Sequence, residues 1–234
     1  MKIAVIGAGF AGVASAKVLS ELGHDVTVYE KAPDVGGVWS RTRRYPGLTT
    51  QNNKDSYTLS DLRMPKVFPE WLSGEQVQSY LEMYVEKFDL APMIKLSTEV
   101  RSAQPAGGGG WDIAIAGADG ETTEHHDHLI VASGVFSEPF APAYDGVDEL
   151  EAAGGRILAA SELHDLETVS GKHVVVVGYG KSACDVAVEI AKEAASTTVV
   201  ARQLLWKMPR KIKGVLNYKM LLLTRLGEGL FPYQ

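Results

Sequence analysis

Three glycines near the start of the chain have the spacing of a loop that binds phosphate. Gly7, Gly9 and Gly12 form the pattern G-x-G-x-x-G directly after the β-branched run Lys2–Ile6. In such a loop the first glycine permits a tight turn, the second lets a pyrophosphate approach the backbone, and the third lets helix and strand pack closely. The N-terminus of the next helix would add unpaired N–H groups and a positive dipole end. The chemistry that these residues indicate is the binding of a dinucleotide.

An acidic residue stands where a dinucleotide site needs one. Glu30 ends a second β-branched run, residues 26–29, and lies 18 residues after Gly12, close to the ~20 expected for the ribose-binding acid. Residues 13–22 between the two runs have helical spacing, with Gly23 placed as a C-cap. We therefore predict that Glu30 accepts hydrogen bonds from the adenosine ribose. A secretory signal cleaved near residues 14–16 is the alternative, and the strand and acid that continue the pattern argue against it.

The same pattern recurs in the second half of the chain, with one change. Residues 172–177 include four consecutive valines, typical of a strand buried on both faces, and Gly178 and Gly180 follow. The counterpart of Glu30 is Ala201, followed by Arg202. Since a carboxylate would repel a 2′-phosphate and a guanidinium can bind one bidentately, the first site suits FAD or NAD and the second NADP(H). Arg202 as an exposed charge at a strand end stays open as the alternative.

The elements that must position these sites predict an α/β fold. Residues 100–104, 111–115 and 122–126 read as a three-stranded meander with turns rich in glycine, and residues 128–134 as a buried returning strand that ends in a turn of small residues. We predict two Rossmann-like dinucleotide-binding units, for FAD and NADPH, with an inserted antiparallel β-meander. The expected domains are an FAD-binding domain at residues 1–165, with the meander at about 98–127, and the start of an NADPH-binding domain at 166–234.

The amino-acid composition argues against several classes of binding partner and indicates where the protein is located. The net charge of -6 gives no reason to expect nucleic acid or an anionic membrane, and the single cysteine, Cys184, excludes an internal disulfide. No apolar run approaches the ~20 residues of a membrane span. We therefore expect a cytoplasmic protein. His125, His126 and His128 could suggest a metal site, but without further ligands at suitable spacing an exposed polar strand end is the expected explanation, and no metal is predicted.

Several longer motifs resemble those of the flavin-containing monooxygenases and their Baeyer–Villiger relatives. They run in the order of that family, and they are "GAGFAG", "GGVW", "YPGLTTQNNKDSY", "SDLRMP", "ASG" and "GYGKSACD". The resemblance implies a set of residues for FAD: Gly7, Gly9, Phe10, Ala11, Gly12, Glu30, Lys31, Gly37, Val38, Trp39, Val100, Ser133 and Gly134. It implies a second set for NADPH: Gly178, Tyr179, Gly180, Lys181, Ser182 and Arg202. Gln51 stands where many members have an asparagine near the flavin, and it would keep an amide there.

The resemblance also implies an activity. In this family NADPH reduces FAD, and the reduced flavin and O2 form a flavin hydroperoxide that passes one oxygen atom to a small-molecule substrate. The family fingerprint F-x-G-x-x-x-H-x-x-x-Y/F is represented here by Ala153, Gly155, Ala159 and Leu163, so only its glycine is kept. This departure favours N- or S-oxygenation over Baeyer–Villiger chemistry. An NADPH:FAD reductase or electron transferase, and a non-catalytic nucleotide-binding subunit, stay open as alternatives.

The second unit reads as unfinished. A mononucleotide-binding half needs strand, helix, strand, helix and strand, and residues 203–234 mix basic and apolar side chains without a β-branched strand. We expect a complementary C-terminal polypeptide or a homo-oligomer to complete it and to cover the apolar run Leu221, Leu222 and Leu223.

Overall fold

The structure is a computed structural model that describes residues 1–118, 120–207, 209–211, 213–214 and 217. Its first part has these strands and helices in chain order: β1 (Lys2–Ile6), α1 (Phe10–Glu21), β2 (Asp25–Tyr29), α2 (Gly74–Lys87), β3 (Ile94–Lys95), β4 (Glu99–Pro105), β5 (Trp111–Gly117), β6 (Gly120–His126) and β7 (His128–Val131). The second part has α3 (Val147–Ala152), β8 (His173–Val177), α4 (Lys181–Ile190) and β9 (Ser196–Val200).

The first unit is a parallel sheet with strand order β3-β2-β1-β7. β1 pairs with β2 from Lys2 opposite Asp25 to Ile6 opposite Tyr29, with α1 between them in the chain. Gly23, at φ 78°, follows the end of α1, where its missing Cβ permits the left-handed turn. The predicted strand, helix and strand are confirmed, so the first glycine pattern lies between a strand and a helix.

Helix α2 packs together with α1 in the core on this sheet, and it was not predicted from the sequence. Ser73 and Gln76 form a capping box at its start: the Gln76 N–H donates to the Ser73 hydroxyl at 3.3 Å, and the Ser73 N–H donates to the Gln76 side chain at 3.0 Å. Its buried face joins α1 and the strands in the main core through Val77, Tyr80, Leu81 and Tyr84. The S-x-x-Q spacing and this helical periodicity were the signals available in the sequence.

The meander forms as predicted, from strands β4, β5 and β6 in antiparallel order. It packs on the parallel sheet through a buried cluster of Ala4, Tyr29, Ile113 and Ile115. As predicted, residues 128–134 contain a strand, β7, which ends at Val131 before the small residues 132–134. The prediction that this strand is buried is only partly right, since Leu129 and Ile130 are half-buried whereas Val131 is 67% exposed.

The second unit consists of parallel strands β8 and β9 with α4 packed against them. The prediction that the valines of β8 are buried on both faces is wrong for the described part of the chain. Val175 and Val177 are each 60% exposed, since α4 covers one face and no described element covers the other.

Two predictions are not tested by the described residues: the role of the apolar run at residues 221–223 and the domain boundaries. Residues Leu221, Leu222 and Leu223 are not among the described ones. The domain boundaries at 165 and 166 stay a prediction. Within the described residues, no helix combines the length and the apolar character that crossing a membrane requires.

Candidate functional site

The glycine turn after β1 is built from positions that admit no side chain. The Gly7 N–H donates to the Tyr29 carbonyl at 2.8 Å, and Gly7 has a φ of 101°. A Cβ on Gly7 would lie 2.6 Å from the carbonyl oxygen of Ala132, and one on Gly12 would overlap with the carbonyl oxygen of Gly7. The first and third glycines therefore permit the close packing of β1, β7 and α1, as the pattern predicted.

The second glycine faces another glycine from the "GGVW" motif. A Cβ on Gly37 would lie 3.3 Å from the Cα of Gly9, and the Gly36 N–H donates to the Ala8 carbonyl at 3.0 Å. Trp39, at the end of this motif, packs edge-on against Tyr57 with ring centroids 5.8 Å apart. The fold thus brings two separate motifs together, and the backbone of Gly9 and Gly37 meets without side chains at the start of α1.

Glu30 lies buried beside this turn. Its Oε2 accepts a hydrogen bond of 2.7 Å from the Ala8 N–H, and its Oε1 accepts one of 2.8 Å from the Ala32 N–H. Each carboxylate oxygen has a second lone-pair site, so Glu30 can still accept from a hydroxyl group. Its assignment to the adenosine ribose stays a prediction.

The first turn of α1 has the properties of an anion site. Gly9 is its N-cap, no side chain caps it, and no acidic residue stands in its first turn. The first N–H groups of an α-helix have no partner within the helix, and those of Phe10 and Ala11 belong to this set. Together with the bare Gly9–Gly37 surface and the neighbouring acid, these residues fit the pyrophosphate and ribose of FAD.

Three further predicted FAD residues, Lys31, Ser133 and Gly134, lie in the segments that follow β2 and β7. Ser133 and Gly134 follow β7 and are exposed, and the Ser133 Cα lies 3.4 Å from where a Cβ on Gly7 would be. The Lys31 Nζ donates to the Ser137 carbonyl at 3.3 Å and pairs with the Glu138 carboxylate. Their assignment to FAD stays a prediction.

The three other residues predicted near the flavin are Val38, Val100 and Gln51, and they lie in three different parts of the first unit. Val38 is exposed next to Gly37. Val100 packs against the meander cluster and pairs with Ile115, and a bulge follows it in β4. Gln51 is exposed directly after buried Thr50, whose hydroxyl accepts from the Leu72 N–H at 3.1 Å. The backbone before Gln51 is thereby anchored, and its role near a flavin stays a prediction.

The second glycine turn repeats the hydrogen bonding of the first. The Gly178 N–H donates to the Val200 carbonyl at 2.8 Å, as Gly7 does to Tyr29. This register places Ala201 at the counterpart of Glu30 and Arg202, which is exposed, at that of Lys31.

The first turn of α4 also fits the phosphates of a dinucleotide. Gly180 is its N-cap, with no capping side chain, no acid in the first turn and open space around the glycine. Ala201 in the place of the acid, with the basic residue Arg202 directly after it, matches the predicted preference for NADP(H).

The side chains of the predicted NADPH residues next to Gly180 are engaged within the protein. The Lys181 ammonium pairs with Asp185, and the Ser182 hydroxyl accepts from the Tyr45 hydroxyl at 3.1 Å. The Lys207 Nζ donates to the Tyr179 carbonyl at 2.6 Å and lies 4.4 Å from the centre of the Tyr179 ring. Tyr45 and Asp185 lie within the motifs quoted from the sequence, but no role was predicted for either residue.

The prediction that His125, His126 and His128 form one exposed polar strand end is wrong for His126. His126 is fully buried, with its Nε2 2.9 Å from the Tyr29 hydroxyl, because β6 closes against the parallel sheet at this point. Burial, and then the charge of Lys2, lower the pKa of His126. His125 instead pairs with Asp112 at 2.9 Å. Among the described residues, no three His, Cys, Asp or Glu side chains are grouped to hold a metal ion.

Known proteins are similar to this chain in both sequence and fold. Dimethylaniline monooxygenase (N-oxide-forming) 2 of Rattus norvegicus is 30% identical over 243 residues, covering 98% of this chain and 45% of the relative. Flavin-containing monooxygenase 3 of Homo sapiens is 28% identical with the same coverage. The crystal structure of cyclohexanone monooxygenase from Rhodococcus sp. Phi1 bound to NADP+ matches with a TM-score of 0.78 at 27% identity, covering 89% of this chain and 39% of that one.

These matches agree with the geometry of the two turns. The chain spans about half the length of the curated relatives that it matches. The family model described as flavin-binding monooxygenase-like matches residues 1–231, nearly the whole chain. The chain therefore belongs to the flavin-binding monooxygenase-like family.

Proposed function

We propose that this chain binds FAD at the turn after β1 and NADP(H) at the turn after β8, and that its protein is an NADPH- and FAD-dependent monooxygenase. The observation that carries the proposal is the repetition of one turn geometry with the acid present in the first unit and absent from the second. Glu30 follows the first βαβ unit, whereas Ala201 stands at its counterpart after the second and is followed by the exposed Arg202. We assign FAD binding to residues 1–165 and the beginning of NADPH binding to residues 166–234.

The residues of this chain bind and orient the two nucleotides. The first turns of α1 and α4 supply N–H groups to the pyrophosphates, Glu30 accepts from the ribose, and Arg202 binds the 2′-phosphate. The bound flavin supplies the redox chemistry, the transfer of two electrons from NADPH and the activation of O2. Trp39, which follows Gly37 in the same motif, packs edge-on against Tyr57, and these two rings would shield one side of the bound nucleotide from water.

The overall reaction takes one oxygen atom into the substrate and one into water. NADPH, a proton, O2 and the substrate give NADP+, water and the oxygenated product. We favour nitrogen or sulfur as the accepting atom, since positions 153, 159 and 163 of the Baeyer–Villiger-type fingerprint hold Ala, Ala and Leu. The name of the rat relative, an N-oxide-forming dimethylaniline monooxygenase, supports nitrogen.

We also propose that further polypeptide covers the open side of the second unit. Val175 and Val177 of β8 and Val200 of β9 are exposed there among the described residues. A complementary C-terminal polypeptide would complete this sheet, and a homo-oligomer is the other arrangement that could. The proposed location is the cytoplasm, which suits the single cysteine.

Three measurements on the purified protein test the proposal. The bound flavin is identified by its spectrum, NADPH consumption is compared with product formed from N,N-dimethylaniline and from cyclohexanone, and hydrogen peroxide is quantified. The expected result is bound FAD and an N-oxide formed in proportion to NADPH. Stoichiometric hydrogen peroxide without product would support a reductase instead, and absence of FAD uptake would support a non-catalytic subunit. Mass determination in solution, with and without an added C-terminal polypeptide, tests the covering partner.

A further inference from the structure

A group of polar contacts joins the segment before Gln51 to the first two turns of α4. The Tyr45 hydroxyl lies 3.1 Å from the Ser182 hydroxyl, to which it donates, and 3.4 Å from the Asp185 carboxylate. The Lys181 Nζ pairs with that carboxylate and lies 3.4 Å from the Thr49 hydroxyl. The contacts of Tyr45 with Ser182 and Asp185, and that of Lys181 with Thr49, span more than 130 residues of sequence, so they exist only when the two units lie together.

Packing beneath these contacts supports them. The ring of Tyr45 packs on a buried cluster of Leu163, Val169, Val186 and Ile190, two of which belong to α4. Gly47, at φ 81°, lies so close to the Glu189 side chain that a Cβ there would overlap with it. The same face of α4 therefore holds the whole turn at residues 45–49.

The contacts also occupy the side chains that the sequence assigned to NADPH. Lys181 and Ser182 begin α4 at the proposed phosphate site, but their polar atoms meet Asp185, Thr49 and Tyr45. The backbone N–H groups of this uncapped turn are what the helix offers to an anion. Burial raises the pKa of Tyr45, so its hydroxyl keeps the proton that it donates.

We propose that Tyr45, Lys181 and Asp185 are positioning residues that hold the second nucleotide-binding unit in register with the loop leading to Gln51. Their side chains act between the two units, and the nucleotide phosphates are left to the backbone of α4. The consequence for the reaction, which rests on the proposed function, is that loss of these contacts slows electron transfer from NADPH to the flavin more than it weakens nucleotide binding.

Hydrogen–deuterium exchange on the nucleotide-free protein tests the contact itself. Tyr45→Phe removes only the hydroxyl and Asp185→Asn only the charge, so each retains the packing. The matched control is Tyr84→Phe, because the Tyr84 hydroxyl also donates to an aspartate, Asp61 at 3.2 Å, but within the first unit. We expect both variants to raise exchange at least fivefold in the 45–50 segment and in α4 together, and the control to change neither. The proposal would be overturned if the variants exchanged at the wild-type rate in both segments, or if only one segment changed. If Tyr45→Phe does not fold, the Asp185→Asn variant alone provides the test.

Anaerobic reduction of bound FAD by NADPH tests the consequence. We expect Tyr45→Phe and Asp185→Asn to slow flavin reduction about tenfold while the Kd for NADP+ stays within twofold. A tenfold rise of that Kd in Lys181→Met, with unchanged reduction in Tyr45→Phe, would assign Lys181 to the nucleotide and contradict the positioning role. If the wild-type protein takes up no FAD or is not reduced by NADPH, the proposed function fails, and the exchange measurement still decides the contact between the units.

Discussion

The carboxylate of Glu30 accepts a hydrogen bond of 2.7 Å from the backbone N–H of Ala8, which lies between Gly7 and Gly9. This bond ties the end of β2 to the glycine turn after β1. One buried side chain therefore shapes the turn and also lies at the site that we assign to FAD, so changes at Glu30 affect folding stability and cofactor binding together.

We expect Glu30→Gln to lower the free energy of unfolding of the FAD-free protein by about 1–3 kcal/mol, since a charge-assisted acceptor of two backbone N–H groups is lost. FAD affinity should fall in the same variant. Urea unfolding and titration of FAD fluorescence measure the two effects. Glu21→Gln, an exposed carboxylate that pairs with Lys17, is the control, and equal stability of the two variants would contradict this role for Glu30.

Gly9→Val should remove FAD while leaving most of the fold. Gly9 has a φ of -82°, which valine adopts, and the nearest atom to its Cβ would be the Gly37 Cα at 3.6 Å. The side chain would therefore occupy the bare surface where we place the pyrophosphate. Circular dichroism and the FAD content after purification check this prediction, with Gly107→Val in an open loop as control. Normal FAD content in Gly9→Val would show that this turn is structural only.

Arg202→Ala should weaken NADPH binding about ten- to a hundredfold and leave NADH nearly unchanged. A bidentate guanidinium–phosphate contact contributes roughly 1.5–3 kcal/mol, and every 1.4 kcal/mol is tenfold in affinity. Binding of the two nucleotides is compared by calorimetry. Arg101→Ala, in the meander and paired with Glu99, is the control. Equal losses for NADPH and NADH would exclude Arg202 from the 2′-phosphate site.

The buried His126 should make stability depend on pH below about 6.5. Its pKa is lowered from the model-peptide value of 6.5 by burial and by Lys2 and Lys95, against the opposing charges of Glu124 and Asp25. Below that value the unfolded chain binds a proton that folded His126 does not, so its contribution is complete above about pH 6.5 and is lost as the pH falls.

Unfolding measured between pH 7.5 and 5 tests the sign of this effect. His126→Gln can keep a hydrogen bond to Tyr29 without titrating, so we expect the slope in this range to flatten. His128→Gln, at an exposed position at the start of β7, is the matched control. An unchanged slope in His126→Gln would contradict the prediction.

Local sequence was sufficient for the parts of the fold that local physics controls. The strand, glycine turn and helix around Gly7 and around Gly178 were predicted because only glycine admits the turn and because the β-branched runs and helical spacing lie directly beside it. The meander was also predicted from local sequence, because glycine-rich turns separate its three short strands. The exchange of Glu30 for Ala201 and Arg202 was also visible in the sequence, because the two units repeat with one spacing.

Only the tertiary structure decided how these parts meet. His126 is buried because β6 closes on Tyr29, a contact between residues 97 apart in the chain, whereas its neighbours His125 and His128 stay exposed. Val175 and Val177 of β8 are exposed although their sequence is typical of a buried strand. A run of valines indicates that a strand can pack on both faces, but it does not indicate which element of the described residues covers each face. Tyr45 and Asp185, 140 residues apart, become partners only when α4 packs on the first unit. Sequence periodicity carries no information about such distant pairs, so the arrangement between the two nucleotide sites came from the fold.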